Sequence, residues 1–287
     1  MSPKMKNFIV RAITGVLFVA IMVAGLLDPT AMIGLFALIT GLALWEYTGL
    51  VNNIENVCIN RFISTVAGVY LFVAIAGINS GIIQTNAVFV PYLLTVVYLF
   101  ISELYTRNAN AVNDWAYTML GQMYIALPLA CINVLAFRQQ PDGTISFYFL
   151  LPLSVYIFLW VNDTGAYLSG SLLGRHKLFP RISPGKSWEG SIGGGLLVLA
   201  VAALLGWWEN SHECLSGLSI IEWMGLGLVV VFFGTWGDLV ESLFKRTLGI
   251  KDSGSILPGH GGMLDRFDSS LMAIPASVIY IYSLTLL

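Results

Sequence analysis

Charge is what this chain has least of. Only 10% of its 287 residues are Asp, Glu, Lys or Arg, against roughly 25% in an average soluble domain. That leaves too little polar surface to coat a water-soluble body of this length. Neither sign is in excess, since 14 basic and 16 acidic residues give a net charge of −2. The chain therefore lacks the basic bulk that nucleic acid attracts, and no nucleic-acid partner is expected. Cysteine is scarce too: Cys58, Cys131 and Cys214 are spaced neither as a disulfide framework nor as a metal site. No internal repeat, low-complexity tract or soluble appendage interrupts the sequence. What remains is 57% hydrophobic with a mean hydropathy of +0.80. At roughly 20 apolar residues per crossing, the expected fold is all-α, a polytopic integral membrane protein with about nine transmembrane helices.

The apolar runs fall at Phe8 to Leu27, Ala31 to Val51, Phe62 to Ile78, Ala87 to Glu103, Trp115 to Phe137, Phe147 to Ser169, Trp188 to Trp208, Ser219 to about Asp238, and Phe267 to Leu287. The first follows Lys4 and Lys6 and has Arg11 near its start, as a secretory signal would, but no small-x-small cleavage site comes after it, and it is read as a retained anchor. Asp28-Pro29 reads as a tight hairpin, while residues 79–81, 140–143 and 183–185 carry turn chemistry. Nine crossings place Arg138 alone on one face and every other Lys and Arg on the face of the amino terminus. By the positive-inside rule that face is cytoplasmic, with the carboxyl terminus outside. Seven of the tryptophans, Trp223 and Trp236 among them, sit at expected span ends and read as an interfacial belt. Two parts are expected: residues 1–110, the first four helices, and residues 111–287, helices five to nine with cytoplasmic active-site loops.

The polar residues crowd into three cytoplasmic stretches, at 162–167, 183–190 and 237–269. Asp163 lies inside the sixth run, where a carboxylate is expensive and marks a functional site, the alternative being a buried hydrogen bond. If the eighth helix continues past the bilayer, Asp238, Glu241, Ser242 and Lys245 share one face by i, i+3, i+4, i+7 spacing, and Asp265 and Asp268 stand i, i+3 at the start of the ninth. Such paired hard oxygen ligands suit Mg²⁺, which is held by one or two carboxylates together with substrate phosphates. Lys245, Arg246, Lys251 and Arg266 complete a phosphate clamp. The glycines at 259, 261 and 262 around His260 allow backbone to approach a ligand. The plainer alternatives are helix caps for Asp265 and Asp268, an i, i+4 surface pair for Glu241 and Lys245, and topology anchors for Arg246 and Lys245. Gly185-Lys186-Ser187 is not a Walker A loop, because Pro180 stands where its first glycine belongs and no strand is expected before it. His212-Glu213-Cys214 reads as a solvated outer loop.

The run Ser242-Leu-Phe-Lys245-Arg246, then Lys251-Asp252, then Leu257-Pro-Gly-His260-Gly-Gly-Met-Leu-Asp265-Arg266-Phe-Asp268 resembles the signature of the phosphatidate cytidylyltransferases, or CDP-diacylglycerol synthases. Asp163-Thr-Gly-Ala-Tyr and Ser183 through Gly190 resemble two further motifs of that family, although Gly185 stands where many members have Lys, leaving Lys186 alone there. The resemblance implies a bacterial cell-membrane enzyme, typically a homodimer, converting CTP and phosphatidic acid to CDP-diacylglycerol and pyrophosphate. Its cofactor would be Mg²⁺, sometimes with a monovalent cation such as K⁺. It implies metal ligation by Asp238 and Asp265, phosphate or nucleotide contacts from Ser242, Lys245, Lys186, His260 and Arg266, and substrate-binding roles for Arg246, Lys251, Asp163, Ser187 and Asp268. The rival readings are another CTP-dependent lipid enzyme such as a polyprenol kinase, and an anion transporter. The latter is disfavoured because the polar groups gather at one face instead of crossing the bilayer.

Overall fold

A computed structural model describes residues 3–106, 110–140, 142–212, 216–256 and 261–284, excluding the side chains of residues 3–11. These residues are mostly helical: α1 (Pro3–Leu27), α2 (Pro29–Val51), α3 (Arg61–Asn79), α4 (Val90–Ser102), α5 (Ala111–Ala136), α6 (Leu150–Leu173), α7 (Trp188–Ser211), α8 (Ile220–Thr247) and α9 (Leu264–Leu284). Two antiparallel hairpins are added, β1 (Phe137–Gln139) with β2 (Ile145–Phe147) and β3 (Lys177–Phe179) with β4 (Ser183–Ser187).

Six helices, α2, α3, α5, α7, α8 and α9, are long and apolar enough to cross a membrane. The chain is an integral membrane protein. The first expected span falls on α1, and the fourth occurs as the shorter apolar helix Asn86–Ser102. The sixth is the 24-residue α6, whose hydropathy is depressed by Asn162 and Asp163.

Contacts divide the chain into two compact units, residues 1–149 with 248–267, and residues 150–247 with 268–287. In the first, α2 carries a buried face of Phe36, Leu44 and Tyr47, and Phe267 sets its ring edge-on to Phe18 and Phe36. Within α5 the backbone widens to a π turn over Gln122–Ala126. Pro128 stands two residues further on: it has no N–H, and its ring would strike the carbonyl four residues back, so the helix widens instead of breaking.

In the second unit, α6 and α7 approach through glycines. A Cβ on Gly165 would lie 2.9 Å from the Cα of Gly194, and one on Gly194 would lie 2.5 Å from Oδ1 of Asn162. With no hydrophobic driving force between helices in lipid, small residues that bring backbones together supply the packing. Two readings are corrected here. The segment expected to turn at 183–185 is strand β4, where Pro184 is tolerated because a two-stranded ribbon leaves both edges free. Trp223 is not in an interfacial belt but wholly buried, donating its indole N–H to Oε2 of the buried Glu209 at 2.8 Å.

Candidate active site

The site in the second unit is assembled by three sequence features. On α6, Asn162 and Asp163 precede the glycine-rich stretch that lets α7 approach. Strand β4 delivers Lys186, and Ser187 ends the strand by capping α7, its hydroxyl accepting from Gly190 N–H at 3.1 Å. On α8, Asp238 and Ser242 are one helical turn apart. Gly237 lets the backbone of α9 pass close by, since a Cβ there would lie 2.8 Å from the Asp268 carbonyl oxygen.

These elements enclose a cavity of about 210 Å³ whose polar wall includes Asn162, Asp163, Lys186, Ser187, Asp238 and Ser269. The Lys186 ammonium lies 2.7 Å from Oδ2 of Asp238 and donates to the Thr235 carbonyl at 3.3 Å. The Ser242 hydroxyl donates to Oδ1 of Asp238 at 3.1 Å. The Asp238 side chain keeps 32% of its surface exposed and that of Lys186 23%, so a ligand has access to both. The first turn of α7 also lines the cavity through Gly190 and Ser191, and the positive partial charge at a helix start favours an anion.

One turn past Ser242, the Lys245 ammonium is held 2.6 Å from Oε2 of Glu241. The spacing is that of the surface pair considered above, but the environment is not. Glu241 is fully buried and the Lys245 side chain is 11% exposed. Asp238, Glu241 and Lys245 all act electrostatically on Asp268, so three carboxylates and two ammonium groups share this end of the unit.

Asp265 belongs to the first unit. Its Oδ2 accepts from the backbone N–H groups of Ser253 at 2.9 Å and Gly262 at 2.8 Å, and it stands in the first turn of α9. Gly261 has φ +83°, and a Cβ on it would crowd the same carboxylate at 2.6 Å. The glycine freedom read from the sequence as room for a ligand is here also used within the chain. Arg246, Lys251 and Arg266 are exposed. His260 lies outside the described residues, as do Arg107 and Cys214.

The Cytidylyltransferase family model matches residues 8–284. The chain belongs to that family. It is similar to proteins named phosphatidate cytidylyltransferase from Staphylococcus aureus (strain COL) and Staphylococcus epidermidis (strain ATCC 12228), each 32% identical over 267 residues that cover 93% of this chain and 96% of the relative. The Haemophilus influenzae protein of the same name is 32% identical over 255 residues, covering 84% of this chain and 87% of that protein.

Within this cytidylyltransferase, several polar groups at or near these segments were not singled out from the sequence. Ser191, Thr235 and Ser269 line the cavity but carry no signal apart from their neighbours. Glu241 reads from the sequence either as part of the Asp238 face or as half of a surface pair with Lys245, because spacing identifies a helix face without identifying what covers it. Glu46, buried on α2, was passed over although a carboxylate inside an apolar run is the same signal that marked Asp163.

Proposed function

We propose that this chain is a nucleotidyltransferase that transfers the cytidylyl group of CTP to phosphatidic acid, giving CDP-diacylglycerol and pyrophosphate. The observation that carries the proposal is that Asp163, Lys186, Ser187 and Asp238, drawn from separate motif stretches, line one cavity in a chain matched almost end to end by phosphatidate cytidylyltransferases.

The phosphate oxygen of phosphatidic acid is already an anionic nucleophile, so attack on the α-phosphorus of CTP requires alignment and charge neutralisation more than a general base. A P–O bond forms to the lipid phosphate while the bond to the pyrophosphate oxygen breaks. Lys186 and the first turn of α7 offset triphosphate charge. Ser242 orients the Asp238 carboxylate through its 3.1 Å hydrogen bond. Ser187 fixes the start of α7, and Arg246, Lys251 and Arg266 supply exposed positive charge for headgroup or nucleotide phosphates. Lys245, held against Glu241, is assigned a phosphate-facing role, His260 a nucleotide contact, and Asp163 and Asp268 substrate-binding roles.

Mg²⁺ fits the donor set. Asp238 offers hard carboxylate oxygens on the cavity wall, with 32% of its side chain exposed. Mg²⁺ is normally shared with substrate phosphates and water, so one or two carboxylates suffice to hold it. Asp238 and Asp265 are the proposed ligands. The ion would supply charge neutralisation on the triphosphate, and a monovalent cation such as K⁺ is proposed beside it.

The membrane arrangement is proposed as nine crossings with the amino terminus and active site in the cytoplasm and the carboxyl terminus outside, in a homodimer. The catalytic part is taken as residues 111–287. The deciding experiment measures incorporation of labelled CTP into lipid by purified protein, with and without phosphatidic acid. Incorporation that does not depend on phosphatidic acid, or transfer of labelled γ-phosphate in its place, refutes the assignment and favours a lipid kinase.

A further inference from the structure

The helices ahead of residue 111 have no part in the chemistry above, yet within the first unit one of them is bonded to the start of α9, where Asp265 stands. Glu46 lies on α2, an otherwise apolar helix, and is 7% exposed. Its Oε2 accepts from the Leu264 backbone N–H at 2.9 Å and from the Ser253 hydroxyl at 3.2 Å. The same Ser253 hydroxyl accepts from the Asp265 backbone N–H at 3.3 Å. The Asp265 carboxylate closes the circuit by accepting from Ser253 N–H at 2.9 Å and Gly262 N–H at 2.8 Å.

Two glycines make room for this arrangement. A Cβ on Gly254 would lie 2.5 Å from Oε1 of Glu46, and one on Gly262 would lie 2.4 Å from Oε2. A buried carboxylate costs several kcal/mol unless its surroundings compensate, and Oε1 of Glu46 is buried with no hydrogen-bond partner among the described residues. Capping the start of α9 does not require this expense, because a short polar side chain in the loop would satisfy the same N–H groups. The carboxylate instead spans the chain from α2 to both sides of the segment ending at Asp265.

We infer that Glu46 is a positioning residue that fixes the orientation of Asp265 through Ser253. The inference rests on the reading that Asp265 serves the transfer reaction.

The test uses full-length protein purified in detergent, with kcat and KM measured for CTP and phosphatidic acid separately. The variants are Glu46→Gln, Ser253→Ala, Asp265→Asn and the double variant Glu46→Gln/Asp265→Asn. Asp114→Asn serves as control, because Asp114 is a carboxylate of the same unit that is also buried and accepts from Cys58 N–H instead. Glu46→Gln should lower kcat about tenfold to a hundredfold, the kinetic equivalent of one hydrogen bond to a charged group, with little change in either KM. Ser253→Ala should act in the same direction and decides the matter if Glu46→Gln does not fold. The double variant should be no slower than Asp265→Asn alone, since residues acting as one unit are not additive. Wild-type kcat in Glu46→Gln and Ser253→Ala beside an impaired Asp265→Asn overturns the inference and leaves the functional reading intact. So does an additive double variant, or an equal loss in Asp114→Asn. Wild-type turnover in Asp265→Asn overturns both.

Discussion

Removing Lys245 should cost this protein stability as well as activity, and the two losses are separable. The Lys245 ammonium sits 2.6 Å from a carboxylate with no exposed surface, while Asp238 and Glu241 both act on the neighbouring Asp268. An exposed i, i+4 pair contributes about 0.3 to 0.5 kcal/mol. Here the Lys245→Ala variant leaves Glu241 buried among like charges without its ammonium partner, for which about 3 to 5 kcal/mol is expected. At about 2 to 4 °C per kcal/mol for a chain of this size, that is a fall in Tm of roughly 10 °C. Arg246→Ala, the next residue and an exposed one, should shift Tm by little and raise KM more than it lowers kcat. The decisive comparison is Glu241→Leu/Lys245→Met, which removes both charges at similar volume and should recover most of the lost stability. Aggregation of detergent-solubilised protein on heating reads the stability, and CTP incorporation at a temperature where every variant is folded reads the chemistry. If Lys245→Ala aggregates no earlier than Arg246→Ala, the buried-pair reasoning is wrong. If turnover returns in the double variant together with stability, Lys245 is a buttress for α8 and its phosphate-facing role falls.

Asp238→Asn and Asp265→Asn should each leave a folded protein with activity lower by about a hundredfold or more, the effect of losing a charged ligand or its field in the transition state; near-normal turnover in labelled-CTP assays would show that these carboxylates do not hold the ion. Cys58, exposed in the first unit, should react with membrane-impermeant thiol reagents only from the cytoplasmic side and Cys214 only from the outside, and labelling of both from one side removes the nine-crossing arrangement. Gly194→Ala should lower thermal stability by about 1 to 3 kcal/mol, because its new methyl would stand 2.5 Å from Oδ1 and 2.7 Å from the carbonyl oxygen of Asn162; an unchanged midpoint would show that α6 and α7 can separate without penalty.

How far the sequence revealed this site is best judged from three carboxylates. Asp163 stood out because nothing else in its apolar run is charged, and the cavity it lines includes groups from the motif stretches named with it. Glu46 stood in an equally apolar run with equal contrast, but its partners Ser253 and Leu264 are more than 200 residues away. No local pattern could join them. Glu241 shows a different limit. Helical periodicity placed it correctly one turn from Lys245, yet the periodicity of a single helix cannot distinguish a face turned to water from one covered by other helices, and the expected surface pair is a buried one. The helices themselves were legible because lipid permits few alternatives to hydrogen bonding within the segment, whereas β4 was read as a turn because Pro and Gly usually mark turns and only its pairing with β3 makes it a strand. Lipid solvation thus leaves a strong mark on each segment separately, while the groups that position chemistry are set by contacts between segments, here by glycines such as Gly194, Gly237 and Gly262, whose missing side chains let a neighbouring backbone or carboxylate approach.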